Sequence, residues 1–208
     1  MAKSFEIEIA LDDLELLKAQ GYLLCVAGAF GEERPLVVWR CFGNYLENNP
    51  FSLTGQFEVF ATSSFKIGGV VHVDTKTMAI APGQQTTFTA DAEFQPPVAI
   101  DQPRSIMIQS QYPGPTHIGF NSTLTGPDNV QQTTPIFVSD NVFGSTNFVF
   151  MPLDAFQVWL QQNVVTSNII DPHITNPGTI DLTNKDFVKL TYQNGKWSEQ
   201  PDARPSAA

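Results

Sequence analysis

Residues 22–42 read YLLCVAGAFGEERPLVVWRCF, two apolar runs separated by a charged break that ends in proline. Each run, Tyr22–Ala29 and Leu36–Phe42, has the length and branching of a buried strand, and Gly31-Glu32-Glu33-Arg34-Pro35 has the composition of a turn. A hairpin of the two runs sets Cys25 close to opposite Cys41 and puts Trp39 in the core. The cysteine spacing is not that of a CxxC metal or redox motif, and no third ligand lies nearby. Cross-strand bridging is geometrically open to such a pair, whereas a reducing cytosol would keep both as buried thiols.

The same texture runs outward in both directions. Ser4–Ala10 alternates Phe5, Ile7 and Ile9 with Glu6 and Glu8, a half-buried strand with its acids facing water. Asp12 or Asp13 then caps a short helix over residues ~12–20, with Leu14, Leu16 and Leu17 inward and Gly21 as its stop. Beyond the hairpin, Asn48-Asn49-Pro50 signals a turn. Gln56–Ala61, Phe65–Val73 and Thr86–Phe94 read as strands, with Gly68-Gly69 marking a bulge or a close backbone approach. Ala81-Pro82-Gly83-Gln84 is a tight turn. The proline-rich stretch 95–135 keeps Ile106, Ile108, Tyr112, Ile118 and Phe120, so it is expected to be ordered and packed on the body. Ile136–Ser139 and Asn147–Met151 are short strands, while Leu153–Val165 fits either a helical face or a strand. Phe187–Tyr192 alternates cleanly, Asn194-Gly195 turns the chain, and Trp197 begins a last pairing segment.

Many short strands, one helix and no β-α-β alternation predict an all-β fold, an antiparallel β-sandwich of jelly-roll-like type, with a closed β-barrel as the alternative. A single domain over residues 1–197 with a disordered C-terminal tail over 198–208 is expected. The composition agrees. Of the 208 residues 42% are apolar but only 15% charged, and the formal net charge is −10. That charge repels phosphate backbones, which argues against nucleic acid as a partner. The first residues lack the continuous apolar run of a signal peptide, so a cytoplasmic protein is expected, with non-classical export left open.

No stretch carries a motif that names a reaction. His72, His117 and His173 stand in separate segments without HxH or HExxH spacing, and GxSxG, GxGxxG and Walker loops are missing. If Phe65–Val73 continues as a strand, His72 and Asp74 share one face as an acid–base pair, and His117 is the third catalytic candidate. Exposed aromatics beside amides are the chemistry of sugar stacking, with Tyr45, Asn48, Asn49, Tyr112, Asn194 and Trp197 as candidates. No cofactor is implied, and calcium is the ion that the loop carboxylates Asp128 and Asp140 would suit. The expected function is a non-enzymatic binding domain, lectin-like or toxin-like. Its partners would be a carbohydrate or small-molecule ligand, a membrane surface, or further copies of itself. A small β-fold enzyme (cyclase, isomerase or lyase) with an acid or base in an aromatic-lined pocket is the first alternative, and a structural subunit of an assembly the second.

Overall fold

A computed structural model describes residues 3–30, 37–140, 144–170, 174 and 176–200. The turn 31–35, His173, Asn141 and the tail beyond residue 200 lie outside the described residues. Along the chain run β1 (Lys3–Ile9), α1 (Leu11–Ala19), β2 (Leu23–Phe30), β3 (Arg40–Phe42), β4 (Asn48–Thr62), β5 (Met78–Ile80), β6 (Gln84–Phe88) and β7 (Val98–Ala99). There follow β8 (Ile106–Ser110), β9 (His117–Thr125), β10 (Gln131–Val138), β11 (Asn147–Phe150), β12 (Pro152–Gln161), β13 (Gly178–Asp181), β14 (Phe187–Gln193) and β15 (Lys196–Glu199). The fold is an all-β sandwich with one short helix.

Three sheets share one core. The largest has the order β10-β9-β4-β1-β14-β15, with β5 added to β4, and the two four-stranded sheets run β13-β12-β2-β3 and β11-β8-β6-β7. Pairing is antiparallel except for β1 with β14 and β6 with β8. No sheet closes on itself among the described residues, so the barrel alternative falls. The alternation in β1 does what it predicts: Phe5, Ile7 and Ile9 are fully buried. Phe5 stacks on Phe51 of β4 at 4.6 Å and on Phe156 of β12 at 5.7 Å, which joins the large sheet to the β2/β12 sheet. Phe120 and Phe137 meet Phe150 of β11 edge-on at 5.1 and 5.8 Å, which joins it to the third. Burying each such ring contributes about 1.5–3 kcal/mol from its apolar area, before ring geometry is counted.

β2 is buried on both faces. Leu24 and Val26 enter the main core, while Cys25 and Ala27 pack with Val38, Trp159, Val164 and Ile170 behind it. The expected hairpin forms with Cys25 directly opposite Cys41. Its second arm is shorter than expected, because Val38 exchanges backbone hydrogen bonds with Ser167 and Asn168 before β3 begins.

Several local expectations are corrected. Asn48-Asn49-Pro50 opens the long strand β4 and does not turn the chain. Pairing with β9 starts only at Ser52, so Pro50 sits where the strand has one open edge and a missing N–H breaks no ladder bond there. Phe65–Val73 is a loop, with Gly68 at φ +79° and its N–H donating to the Ile169 carbonyl at 2.8 Å. The glycine pair thus marks a close backbone approach. Thr86–Phe94 is not one strand, since Ala92 at φ +61° turns it and Phe94 returns to bridge Phe88. The helix starts at Leu11 with no side-chain cap; Asp12 and Asp13 instead lie in its first turn, where they favour the helix dipole. Leu14 and Leu17 are buried but Leu16 is 55% exposed. Leu153–Val165 resolves as strand up to Gln161, and Ser198–Glu199 belongs to β15 and not to a tail.

Candidate functional site

The residues singled out in the sequence do not converge. With Phe65–Val73 a loop, the shared strand face of His72 and Asp74 is lost, and both are exposed. Asp74 accepts hydrogen bonds from the Ser63 backbone N–H and hydroxyl, each at 2.7 Å. Those bonds hold its carboxyl below the usual aspartate range. His117 is buried on β9, its Nδ1 lies 2.9 Å from the Ser139 carbonyl, and its ring stacks on Phe65 at 5.4 Å. That is the environment of a core histidine.

The proposed sugar platform is dispersed as well. Tyr45 is fully buried and offers no face to a ligand; its hydroxyl has no hydrogen-bond partner, and desolvation pushes its pKa up to about 12. Asn49 is also fully buried and works as a backbone substitute, accepting from Leu46 N–H at 2.7 Å and donating to the Ile7 carbonyl at 3.0 Å. Asn48 is exposed beside it. Tyr112 is half-buried and packs at 5.3 Å on Phe88. Asn194 is an exposed turn residue at φ +52°. Trp197, half-buried, lies 4.7 Å from Tyr192 and donates through Nε1 to the Asn176 carbonyl at 3.0 Å. Of the calcium candidates, Asp128 is engaged by the Arg40 guanidinium at 2.9 Å and by Val130 N–H at 3.1 Å. Asp140 is exposed, and no group of three metal-ligating side chains forms among the described residues.

What the fold does build is a cleft of about 600 Å³, inside the usual range for small-molecule sites. Its walls come from two bulged strands. The β4–β9 register shifts between Leu53 and Phe57, with Gly55 at φ +67°, and the β12–β2 register shifts between Pro152 and Phe156. Bulges re-aim side chains, and here they turn Leu53 and Phe57 on one side and Met151, Leu153 and Phe156 on the other into one hollow. Trp39 lies at the bottom, fully buried, its ring 5.9 Å from Phe156 and its Nε1 donating to the Ser122 carbonyl at 3.1 Å. The indole is therefore fixed in orientation.

The charged residues of the lining are Lys3, Asp154 and Arg104. Lys3 reaches Asp154 at 2.5 Å and the Leu182 carbonyl at 2.6 Å, so it bridges the large sheet to β12. Asp154 is half exposed and paired, which leaves no buried carboxylate in the cleft. Arg104 is exposed at the rim and makes no ion pair among the described residues. The backbone next to it is tied to the Pro82-Gly83 turn, where the Gly83 N–H donates to the Ser105 carbonyl at 2.8 Å. A second hollow of about 640 Å³, beside Ile67 and the 159–170 segment, is more open and more polar.

None of the sequence-selected residues lines the first cleft. Its members come from segments some 150 positions apart (Lys3 and Asp154), and only Gly55, inside an otherwise strand-like run, hinted at a bulge. No protein-family model matches the chain, and no curated protein or solved structure matches it.

Proposed function

We propose that the protein is a non-enzymatic binding domain that takes one small amphipathic molecule, apolar body first, into the cleft above Trp39. The observation that carries this reading is the lining of the cleft: aromatic and aliphatic side chains from two bulged strands, with Lys3, Asp154 and Arg104 as its charged members. Apolar walls reward the burial of hydrocarbon or aromatic surface at roughly 25 cal/mol per Å² and offer little to a ligand made of hydroxyls. This favours an apolar ligand over the carbohydrate expected from the loop aromatics. Lys3 is neutralised by Asp154, and Arg104, exposed and without an ion pair among the described residues, gives the cleft a cationic group suited to an anionic head such as a carboxylate or sulfate. The enzyme alternative asks for a buried acid or base beside the aromatics; the one carboxylate on the cleft is half exposed, and His72, Asp74 and His117 lie elsewhere.

Trp39 supplies the readout. Titrating the protein with a long-chain carboxylate, an alkyl sulfate and the matching uncharged alcohol should change tryptophan fluorescence saturably, at one ligand per chain. Met151→Arg and Leu153→Arg place charge at half-exposed wall positions and should weaken all three ligands at least tenfold with the fold retained by circular dichroism. Arg104→Ala should weaken the anions about tenfold and leave the alcohol unchanged, the loss of one charge-assisted contact. Binding that ignores the wall substitutions would refute the site. A ligand recovered chemically altered would replace the binding reading with the enzymatic one.

A further inference from the structure

The cysteine pair stands on the face of β2 that looks away from the cleft, and neither cysteine lines it. Cys25 and Cys41 are register partners on adjacent antiparallel strands. Which kind of partner they are follows from the backbone. The Cys41 N–H donates to Thr166 Oγ1 at 3.2 Å, away from β2, while the Trp39 N–H donates to the Val26 carbonyl at 2.8 Å. Cys41 therefore does not exchange hydrogen bonds with Cys25, and the two form a non-hydrogen-bonded pair. Such pairs bring Cα atoms to about 4.5 Å, the short end of the range that a disulfide spans.

Both thiols are free, and their surroundings differ. Cys25 is fully buried behind the sheet, its Sγ 3.6 Å from the Leu23 carbonyl. Cys41 is half-buried at the edge, its Sγ near the Val164 carbonyl at 3.7 Å and Thr166 Oγ1 at 3.6 Å. Cys41 is thus the more exposed residue of the pair, and Cys25 is closed off from solvent. Each thiol donates only one weak, long hydrogen bond to a carbonyl, at 3.6 Å for Cys25 and 3.7 Å for Cys41, and these are the contacts that turning the sulfurs toward each other gives up.

We infer that Cys25 and Cys41 form a dithiol modification site that a small-molecule disulfide oxidises, with Cys41 as the attacking sulfur and Cys25 as the resolving one. The Cys41 thiolate attacks one sulfur of oxidised glutathione, forming a mixed disulfide and releasing one glutathione thiolate. The Cys25 thiolate then attacks the Cys41 sulfur and releases the second. Two protein thiols become one disulfide, their two protons pass through solvent to the two released glutathione thiolates, and one oxidised glutathione becomes two reduced ones. Burial raises the Cys25 thiol, so the second step waits on its deprotonation, and proximity of the opposed strands offsets that delay. The product staples β3, which starts at Arg40 directly after Trp39, onto β2.

Intact-mass spectrometry after alkylation, across a series of reduced-to-oxidised glutathione ratios, tests this on the full chain. In the native protein both thiols should disappear together, with loss of two hydrogens and no retained glutathione. Cys25→Ser should trap one glutathione on Cys41, and Cys41→Ser should leave Cys25 unmodified. The oxidised protein should melt about 5 °C higher than the reduced one, since the bond closes a short loop. Glutathione retained on the native chain, two thiols still free at ratios that oxidise a model dithiol, or disulfide-linked dimers would each overturn the assignment. The native-chain measurement stands even where a serine variant folds poorly.

Discussion

Arg40 is the residue whose replacement tests the packing logic most directly. Only 4% of it is exposed, yet it is a charge inside a sandwich. Its guanidinium donates to Asp128 at 2.9 Å and to the Val130 carbonyl at 3.0 Å, with a longer contact of 3.5 Å to the Leu124 carbonyl. The head also lies 4.5 Å from the Phe42 ring, and Nε has no partner. One side chain of β3 therefore ties down the whole β9–β10 turn. Arg40→Met keeps the stem volume and removes the donors. Hydrogen bonds to a charged group contribute about 1.5–3 kcal/mol each, so two good ones bound the loss at roughly 3–6 kcal/mol. Removing the desolvation of the guanidinium and its unpaired Nε returns part of that, and Asp128, whose side chain is 37% exposed, recovers water. A net cost of about 3 kcal/mol follows, or a Tm lower by about 6–12 °C for a chain of this size. Asp128→Asn alone should cost about 1 kcal/mol, and the double variant should cost less than the sum of the two, because they share a contact. Urea unfolding of the four proteins supplies the cycle. A loss below about 1 kcal/mol for Arg40→Met, or strict additivity with Asp128→Asn, would refute the claim that this guanidinium pins the turn.

Gly119→Ala should destabilise by about 2–3 kcal/mol in calorimetry, because a Cβ there meets Phe60 Cζ at 2.2 Å and the Phe137 carbonyl at 2.9 Å. Near wild-type stability would mean that Phe60 moves freely. The Asp74 carboxyl is held low by the Ser63 bonds, so its contribution is present above the unfolded aspartate value near ~3.9 and lost as pH falls through the folded one. The stability gap between the native chain and Asp74→Asn should therefore be constant above about pH 5 and close progressively below about pH 4. Denaturant midpoints over that range check it, and a gap that persists unchanged into strong acid would contradict it.

The fold was largely readable because its signals are local. Alternation in β1 placed Phe5, Ile7 and Ile9 inside, and two apolar runs around a charged turn set Cys25 against Cys41. Errors arose where tertiary contacts overrode local chemistry. Asn49 looks like a turn residue, but its amide fills hydrogen-bonding sites of Leu46 and Ile7 and so lets β4 begin there. Phe65–Val73 looks like a strand, but its glycines let it press on the 167–169 segment as a loop. The cleft was not legible at all. Lys3, Trp39, Leu53, Arg104 and Phe156 carry no shared spacing, and only two bulges and the sheet order bring them together.

The parallel pairing of β1 with β14 sets the timing of assembly during synthesis. Ser4 lies opposite Phe187, whereas on its other side the same strand meets β4 near Phe51. On the ribosome β1 can join β4 early, but its second edge stays open until β14, more than 180 residues further on, has emerged. For that interval Glu6 and Glu8 are unpaired negative charges along a bare edge, which discourages strand addition by neighbouring chains. Lys189 of β14 then reaches both, at 2.9 and 2.7 Å, and the two guards become ion-pair partners of the strand they were waiting for.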